Sequence, residues 1–265
     1  MSKKLIVSRQ KGNVFCLFVD TTEAFGPKGG LPVDNALSII EPCLWAHAEF
    51  GASATGLVFD AHEHKLKLRH GHICMAETYE QKARVAPFVQ LTPELVADWD
   101  RSYLHPGAGF TLEYFKHVYV PGVIATTGFP QTLWPVHGVD GTHETFPLDP
   151  LDELAYTFRL PKGGETYADS HSAVRNAIGF DSGLLNRIRG RRYRVDTVVL
   201  FGLERWICIA YTALDLAREG YKVYISWEGT AELVMHDPAQ RQLMRDRLKK
   251  VGVKFIHLED IKFVD

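Results

Sequence analysis

The sequence lacks most of the features that mark a specialised class of protein. Its four cysteines are too widely spaced for a disulfide framework or a zinc knuckle: Cys16, Cys43, Cys74 and Cys208. A net charge of -2 gives no reason to expect a nucleic acid partner, and no apolar run is long enough to span a membrane. The basic N-terminus is not followed by an apolar segment with a cleavage site. We therefore predict a cytoplasmic protein without nucleic acid or membrane partners.

Dinucleotide fingerprints, internal repeats and low-complexity tracts are also missing, and the 265 residues suit one large domain with a buried core. Short apolar runs alternate with helical patterns along the chain. Between Asp196 and Tyr221, for example, an apolar run ends at Gly202, and apolar residues then recur every three or four positions. Repeated βα units of this kind predict an α/β protein, with three α/β/α layers around a central, mostly parallel sheet.

The regular alternation is lost in one long stretch, so we predict a single domain over residues 1–265 with an insertion at about 63–133. Inside the insertion, Thr92 and Pro93 predict the start of a short helix. Residues 111–127 predict an extended segment. The insertion could cover a site or make a subunit contact, which leaves a homo-oligomer open.

Three predicted strands lead into residues that can do chemistry. Asp20 ends the run NVFCLFVD, Asp60 ends SATGLVFD, and Lys162 follows LAYTFRL. Open α/β sheets place their ligand sites at the carboxyl ends of parallel strands. An acid that only caps a loop, or a lysine that is only an exposed cation, is an equally good interpretation of each position alone.

Two segments carry candidate metal ligands. In an extended segment, residues i and i+2 point to the same side, so Asp60 and His62 can converge on one ion. A solvated surface pair is the commoner alternative. His137 lies in the loop WPVHGVDGT, which Pro135 stiffens, three residues after Trp134.

Cys208 falls in the first turn of the helix predicted after Gly202. Unpaired backbone N–H groups and the helix dipole favour a thiolate there, although a free cysteine is more often an inert buried residue. Asp20, Lys162 and Cys208 together have the chemistry of a nucleophilic amide hydrolase. A thiolate attacks the carbonyl, a carboxylate takes the thiol proton, and an ammonium group stabilises the ion pair.

The motifs around these three residues resemble the isochorismatase-like cysteine hydrolase superfamily, and within it the nicotinamidases. The similar segments are Asp20 to Phe25 followed by GGLPV, Lys162-Gly163 followed by DSHSA at 169–173, and Gly202 with Cys208 followed by YTALD. The resemblance covers most of the chain outside the insertion and implies the isochorismatase-like hydrolase fold.

The resemblance also implies a role for each residue. Cys208 would attack a carboxamide carbon, Asp20 would act as general base and then general acid, and Lys162 would hold both in place. The backbone N–H groups of Glu204 and Cys208 would form an oxyanion hole, with a cis peptide between Leu203 and Glu204.

A divalent metal ion (zinc, iron or manganese) is implied as cofactor, with Asp60, His62 and His137 as ligands. It would hold the pyridine nitrogen of a substrate whose ring stacks on Phe25 and Trp134. The predicted activity is metal-dependent conversion of nicotinamide, or a close heteroaromatic amide, to the carboxylic acid and ammonia through a cysteine thioester.

The sequence departs from the family pattern at several positions. Thr22 replaces a usual glutamine, Gly138 a cysteine, His171 a tyrosine, and Glu204-Arg205-Trp206 the usual Ala-Thr-Asp. Residues 123–130 offer a second placement of the metal strand, without its ligands. Two further hypotheses therefore stay open: an amidase acting on a different amide, and a non-catalytic member that binds a ligand or partner.

Overall fold

A computed structural model of the chain describes residues 4–8, 11–62, 85–104, 110–165, 168–191, 194–233 and 238–265. Its strands are β1 (Leu5–Ser8), β2 (Val14–Val19), β3 (Thr55–Asp60), β4 (Gln90–Leu91), β5 (Gln131–Thr132), β6 (Arg159–Lys162), β7 (Thr197–Gly202), β8 (Lys222–Thr230), β9 (Lys254–Ile256) and β10 (Ile261–Val264). Its α-helices are α1 (Ile40–Phe50), α2 (Pro93–Val96), α3 (Leu112–Tyr114), α4 (Val120–Thr127), α5 (Leu184–Arg189), α6 (Ala210–Arg218) and α7 (Pro238–Lys250).

The main sheet of the described chain has six strands in the order β6-β3-β2-β7-β8-β9, and each neighbouring pair is parallel. Every residue of β2 and β7 is buried, so both faces at the middle of the sheet are covered. Helix α1 packs against β2 and β8, and α6 packs against β8 and α7. The predicted α/β fold with a central, mostly parallel sheet is confirmed.

The strand order reverses between β2 and β7. The chain builds outward from β2 through β3 to β6, and then returns to place β7 on the other side of β2. Parallel strands that leave such a switch point open a crevice at their carboxyl ends. The fold therefore brings the residues that follow β2, β3, β6 and β7 to one edge of the sheet.

Close approach of two backbones at this switch point requires a glycine. Gly202 has a φ of 120°, and a Cβ added to it would lie 1.9 Å from the carbonyl oxygen of Val19 in β2. Any side chain here would push the end of β7 away from β2, because backbone atoms cannot rotate aside as a side chain can.

The apolar patterns miss two pairs of strands and shift the start of β6. One missed pair is β4 and β5, which are antiparallel and two residues long each. β1 and β10 come from the two ends of the chain and pair in parallel, with Leu5 opposite Ile261. Both are only four residues long, which leaves little pattern to detect. The strand expected before Lys162 begins at Arg159, five residues after the predicted start at Leu154.

The prediction of an extended segment at 111–127 is wrong. The segment is helical, with α3 continuing through a π-helical turn (Phe115–Tyr119) into α4. Its aromatic and β-branched residues favour strands, but its buried side chains recur about every four positions, which gives a helix one apolar face. The buried positions are Phe115, Tyr119, Val120, Val123 and Thr127.

The helical segment belongs to a second cluster of buried apolar residues, which also includes Leu91, Val96, Trp99 and Leu133. Thr92 caps α2 by accepting a hydrogen bond from the backbone N–H of Leu95, as predicted. Because residues 123–130 include most of α4, they do not form the alternative metal strand. The start of the predicted insertion, including Cys74, lies outside the described residues. In the chain as described, no helix is both long and apolar enough to cross a membrane.

We predict that Gly202→Ala lowers the free energy of unfolding by more than about 3 kcal/mol, because the new methyl group overlaps the β2 backbone. Gly220→Ala is the matched control, since Gly220 also has a positive φ (90°) but no atom within 4 Å of an added Cβ. Gly220→Ala should lower the free energy of unfolding by only about 1 kcal/mol, because alanine is strained in a left-handed backbone conformation. Urea denaturation measures both, and equal losses would contradict the packing argument.

Candidate active site

The carboxyl ends of three adjacent strands bring two acids and a lysine together. Asp20 directly follows β2, while Asp60 and Lys162 end β3 and β6 and are paired in the strand register. Asp20 has a φ of 55°, a conformation that aspartate tolerates better than most residues. In this position its Oδ1 accepts a 2.9 Å hydrogen bond from the backbone N–H of Asp60. All three side chains are buried.

Lys162 is the centre of this group. Its Nζ lies 3.0 Å from Asp20 Oδ2 and forms a short ion pair with Asp60 Oδ1. The same nitrogen donates to the carbonyl oxygen of Ser170 at 3.0 Å and lies 3.8 Å from Cys208 Sγ. A buried ammonium group needs this number of partners, because an unpaired charge in the interior costs several kcal/mol.

The mutual effects of these charges determine their protonation. Burial alone would lower the pKa of Lys162, but Asp20 and Asp60 raise it well above its usual value, so the ammonium stays charged. Burial would raise the pKa of Asp60, but Lys162 and the neighbouring histidines hold it below its usual range. For Asp20, burial and the Asp60 charge outweigh Lys162 and raise its pKa to about 7. Asp20 can therefore exchange a proton near neutral pH.

Cys208 lies in a buried π-helical turn (Arg205–Ile209) that leads into α6. Its Sγ and a carboxylate oxygen from each of Asp20 and Asp60 are all within 4.8 Å of one another. Burial raises the pKa of the Cys208 thiol well above its usual value, and the Lys162 charge does not outweigh burial. This differs from the expectation that the helix N-terminus favours a thiolate. The thiol needs a neighbouring base, and Asp20 is within reach.

The turn before Cys208 contains the departure Glu204-Arg205-Trp206. The Leu203–Glu204 peptide is cis, as the resemblance implies. The buried Glu204 carboxylate accepts hydrogen bonds from the backbone N–H groups of Trp206 (3.0 Å) and Leu233 (3.2 Å), so it fixes the turn. The proposed role of the Glu204 and Cys208 N–H groups as an oxyanion hole stays a prediction.

The other two substituted side chains lie away from Cys208. Arg205 donates to Thr230 Oγ1 at 2.8 Å, and its guanidinium group covers the ring of Trp227. Trp206 packs against Phe255 with 5.5 Å between ring centroids. The guanidinium group of Arg205 thus makes its contacts on the far side of the turn. Arg205 does not line the pocket that contains Cys208.

Asp60, His62 and His137 lie together, with one ligand atom from each within 4.8 Å of the others. His62 Nδ1 lies 3.0 Å from the carbonyl oxygen of Gly163, and His137 Nδ1 lies 2.7 Å from that of Pro135. Since a carbonyl oxygen only accepts, each Nδ1 carries the proton. When both imidazoles are neutral, each Nε2 therefore carries a lone pair, and the two Nε2 atoms lie 3.3 Å apart.

Asp60 adds negative charge to this pair, with its Oδ2 3.7 Å from His137 Nε2 and 4.0 Å from His62 Nε2. Burial lowers the pKa of His137, but hydrogen bonding and charge from Asp60 raise it above its usual value. The arrangement therefore favours a positive charge between the three side chains. A carboxylate and two imidazoles fit a divalent transition metal, and these residues could hold one.

A narrow pocket opens onto Cys208 and His137. Its walls include Phe25 and Trp134, the two predicted ring-stacking residues. The Phe25 ring meets the His137 ring edge to face at 5.5 Å between centroids. The structure thus brings together the side chains of all the predicted site residues.

The pocket also has a wall that the sequence interpretation missed. Asp169 is buried and its Oδ2 lies 2.7 Å from His171 Nε2. The Trp134 indole Nε1 is 3.2 Å from the same histidine nitrogen. Four polar residues in a run of five (Asp169 to Ser172 in DSHSA) were a signal, but nothing in their spacing shows which of them faces a pocket.

No family model matches the chain. The nicotinamidase of Acinetobacter baylyi is 27% identical over 233 residues, which are 88% of this chain and 87% of that protein. The solved structure of an Acinetobacter baumanii nicotinamidase/pyrazinamidase superposes with a TM-score of 0.72 at 23% identity, over 95% of this chain and 99% of that one. A zinc complex of the pyrazinamidase of Pyrococcus horikoshii gives a TM-score of 0.58 at 18% identity, over 93% and 99% of the two chains. At these identities, the solved structures show the shared fold.

The Asp20 pKa of about 7 predicts how Cys208 alkylation depends on pH. In metal-free protein the rate of reaction with iodoacetamide should fall as the pH drops below about 7, because a protonated Asp20 cannot accept the thiol proton. Asp20→Asn should slow the reaction at pH 8 at least about 100-fold. Mass spectrometry of the Cys208 peptide gives the rate.

Glu23→Gln is the matched control, because it removes a carboxylate from the same segment without touching Lys162. It should keep both the rate and the pH dependence of the wild type. A wild-type rate in Asp20→Asn would rule out Asp20 as the base.

Proposed function

The chain belongs to the isochorismatase-like hydrolase superfamily and is nicotinamidase-like, and on this premise we propose that it is a metal-dependent amidohydrolase. Its substrate is nicotinamide or a close heteroaromatic amide, and its products are the carboxylic acid and ammonia. One observation carries the proposal: Lys162 Nζ lies 3.0 Å from Asp20 Oδ2 and 3.8 Å from Cys208 Sγ. Acid, ammonium and thiol are thus positioned for acyl transfer to sulfur.

In the proposed complex the carboxamide carbon lies against Cys208 Sγ, and the ring lies between Phe25 and Trp134. The shape and lining of the pocket support this placement, since Phe25, Trp134, His137 and Cys208 all face the same space. Flat aromatic walls favour a flat aromatic substrate, which they hold by stacking at offset or edge geometry.

The proposed reaction moves one proton back and forth through Asp20. The Asp20 carboxylate takes the proton of the Cys208 thiol as sulfur attacks the amide carbon. The N–H groups of Glu204 and Cys208 donate to the carbonyl oxygen as it becomes negative. Asp20 then protonates the amide nitrogen, the C–N bond breaks, and ammonia leaves a thioester on Cys208.

Hydrolysis of the thioester repeats the sequence with water. Asp20 removes a proton from a water molecule, whose oxygen attacks the thioester carbon, and the C–S bond breaks. The proton on Asp20 returns to the Cys208 sulfur, and the carboxylic acid is released. A carboxyl group with a pKa of about 7 suits a residue that must act as both base and acid. Lys162 stays charged throughout and keeps the developing negative charges close to a fixed cation.

Asp60, His62 and His137 are the proposed ligands of the metal ion, which is zinc, iron or manganese. The two Nε2 atoms, 3.3 Å apart and available as ligands when the imidazoles are neutral, support this role. When bound, the metal would act as a Lewis acid that holds the ring nitrogen of the substrate. Gly163 and Pro135 contribute by fixing the tautomers of the two histidines through their carbonyl oxygens.

A second candidate is an amidase of the same superfamily with a different amide substrate. His171, in place of the family's tyrosine, lines the pocket beside Trp134 and favours this candidate, because it changes the wall that meets the substrate. The predicted cytoplasmic location and self-association stay predictions under either proposal.

Ammonia release from nicotinamide tests the main proposal. Cys208→Ala should lower kcat/KM at least about 1000-fold, because the nucleophile is lost. Cys43→Ala is the control, since Cys43 is another buried free cysteine, on α1 and outside the pocket. It should retain near wild-type activity. Equal ammonia release by wild type and Cys208→Ala would refute the proposal.

The same assay includes a metal arm. Treatment with a chelator should abolish activity, and zinc, manganese or iron should restore it. Metal content measured beforehand should approach one ion per chain. Full activity in chelator-treated protein free of metal would contradict the metal requirement but not the thioester route.

A further inference from the structure

A second cavity adjoins the pocket that contains Cys208. We call this cavity the side groove. Its lining is largely aromatic or apolar, with a few polar side chains: Gln90, Phe129, Pro130, Thr132, Trp134, His171, Trp206, Ile207, Tyr211, Gln240, Arg241 and Met244.

The groove and the pocket share a wall. Trp134, His171 and Ile207 line both cavities, and Ile207 immediately precedes Cys208 in the chain. His171 is held in this wall by Asp169 and by stacking on Tyr211, with 5.6 Å between ring centroids. The two cavities are therefore adjacent, and a group attached to a ring in the pocket would enter the groove beside these three side chains. Histidine at this position is smaller than the family's tyrosine, which leaves more room for such a group.

The chemistry of the side groove favours a planar ring that carries a negative charge. Most of its lining side chains are apolar or aromatic, so burial of a ring there is favourable. Arg241 is the only residue of the groove lining with a permanent charge, and no carboxylate is among the described lining residues. Arg241 Nη1 lies 3.4 Å from Glu232 Oε2, and its side chain is 29% exposed. The remaining N–H donors of the guanidinium group suit a carboxylate, which they can bind in bidentate fashion.

Glu232 is a shared partner and therefore a weak competitor for Arg241. The same carboxylate also accepts a short hydrogen bond from the Trp206 indole and lies 3.8 Å from Arg205 Nη1. An anion in the groove would add to the Arg241 interactions without leaving Glu232 unpaired.

We propose that the side groove is a substrate subsite, and that the preferred substrates are heteroaromatic amides with a second ring bearing an anionic group. This rests on the proposed function, because the amide must lie at Cys208. The second ring is attached to a ring carbon, since the ring nitrogen faces Asp60, His62 and His137. It lies in the groove among the apolar and aromatic lining side chains, and its anionic group pairs with Arg241.

Binding of the acid products tests the subsite without relying on catalysis. The probes are nicotinic acid and its derivatives with a para-carboxyphenyl group on each free ring carbon in turn, titrated by calorimetry into the protein as purified. At least one derivative should bind at least about tenfold more tightly than nicotinic acid, through burial of the second ring and the new ion pair. Weaker or equal binding by every derivative would overturn the proposal.

Two variants test whether the gain comes from the groove. Arg241→Gln should remove most of the difference in affinity between the derivative and nicotinic acid. His171→Tyr should reduce this difference, because the larger ring leaves less space beside the shared wall. Lys249→Gln is the control, because it removes a charge from the exposed side of α7 outside the groove. Lys249→Gln should keep the wild-type difference in affinity. A gain that survives in Arg241→Gln would refute the assignment of the anionic group.

Hydrolysis assays separate this proposal from the function it rests on. Nicotinamide hydrolysis without tighter binding of any derivative would support the proposed activity and reject the subsite. Tighter, Arg241-dependent binding without hydrolysis of any amide would support the groove as a ligand site and reject the activity.

Discussion

The organisation of the site depends on how one carboxylate is shared. Asp60 directs Oδ1 to the buried ammonium of Lys162 and Oδ2 toward His62 and His137. Lys162 in turn contacts Asp20 and approaches Cys208, so the candidate metal ligands and the candidate nucleophile belong to one charge network. In a buried site these interactions are only weakly screened. The same network raises the pKa of Asp20 to about 7, because the charge of Asp60 adds to the effect of burial.

The sheet makes this sharing possible. Asp60 and Lys162 are register partners at the ends of β3 and β6, which places their side chains on one edge without a long loop. Across β2, the close approach of Gly202 to Val19 brings the turn with Cys208 to the same edge. The paired strands and the close contact between β2 and β7 hold the reacting groups at fixed distances, as acyl transfer requires.

Much of the sheet and of the site could be predicted from the sequence. Two apolar runs end in Asp20 and Asp60, and because such runs form buried parallel strands, both acids are expected at the carboxyl edge of the sheet. The sequence could not predict that 111–127 is helical, because the packing of Phe115, Tyr119 and Val123 outweighs their strand preference. Nor could it show that burial raises the pKa of Cys208, or that His171 is held by Asp169 in the pocket wall. Those facts depend on contacts between residues distant in sequence or on solvent exclusion, which local patterns do not contain.

Asp60→Asn tests whether one carboxylate serves both halves of the site. The measurement combines zinc affinity, by competition with a chromogenic chelator, and the pH dependence of Cys208 alkylation in metal-free protein. Zinc binding should weaken at least about tenfold, because the metal site loses a charged ligand. The acid limb of the alkylation profile should also lie at lower pH than in the wild type, because Asp20 loses a neighbouring negative charge. Weaker zinc binding with an unchanged pH profile would contradict the shared role of Asp60. A shifted pH profile with unchanged zinc binding would contradict it equally.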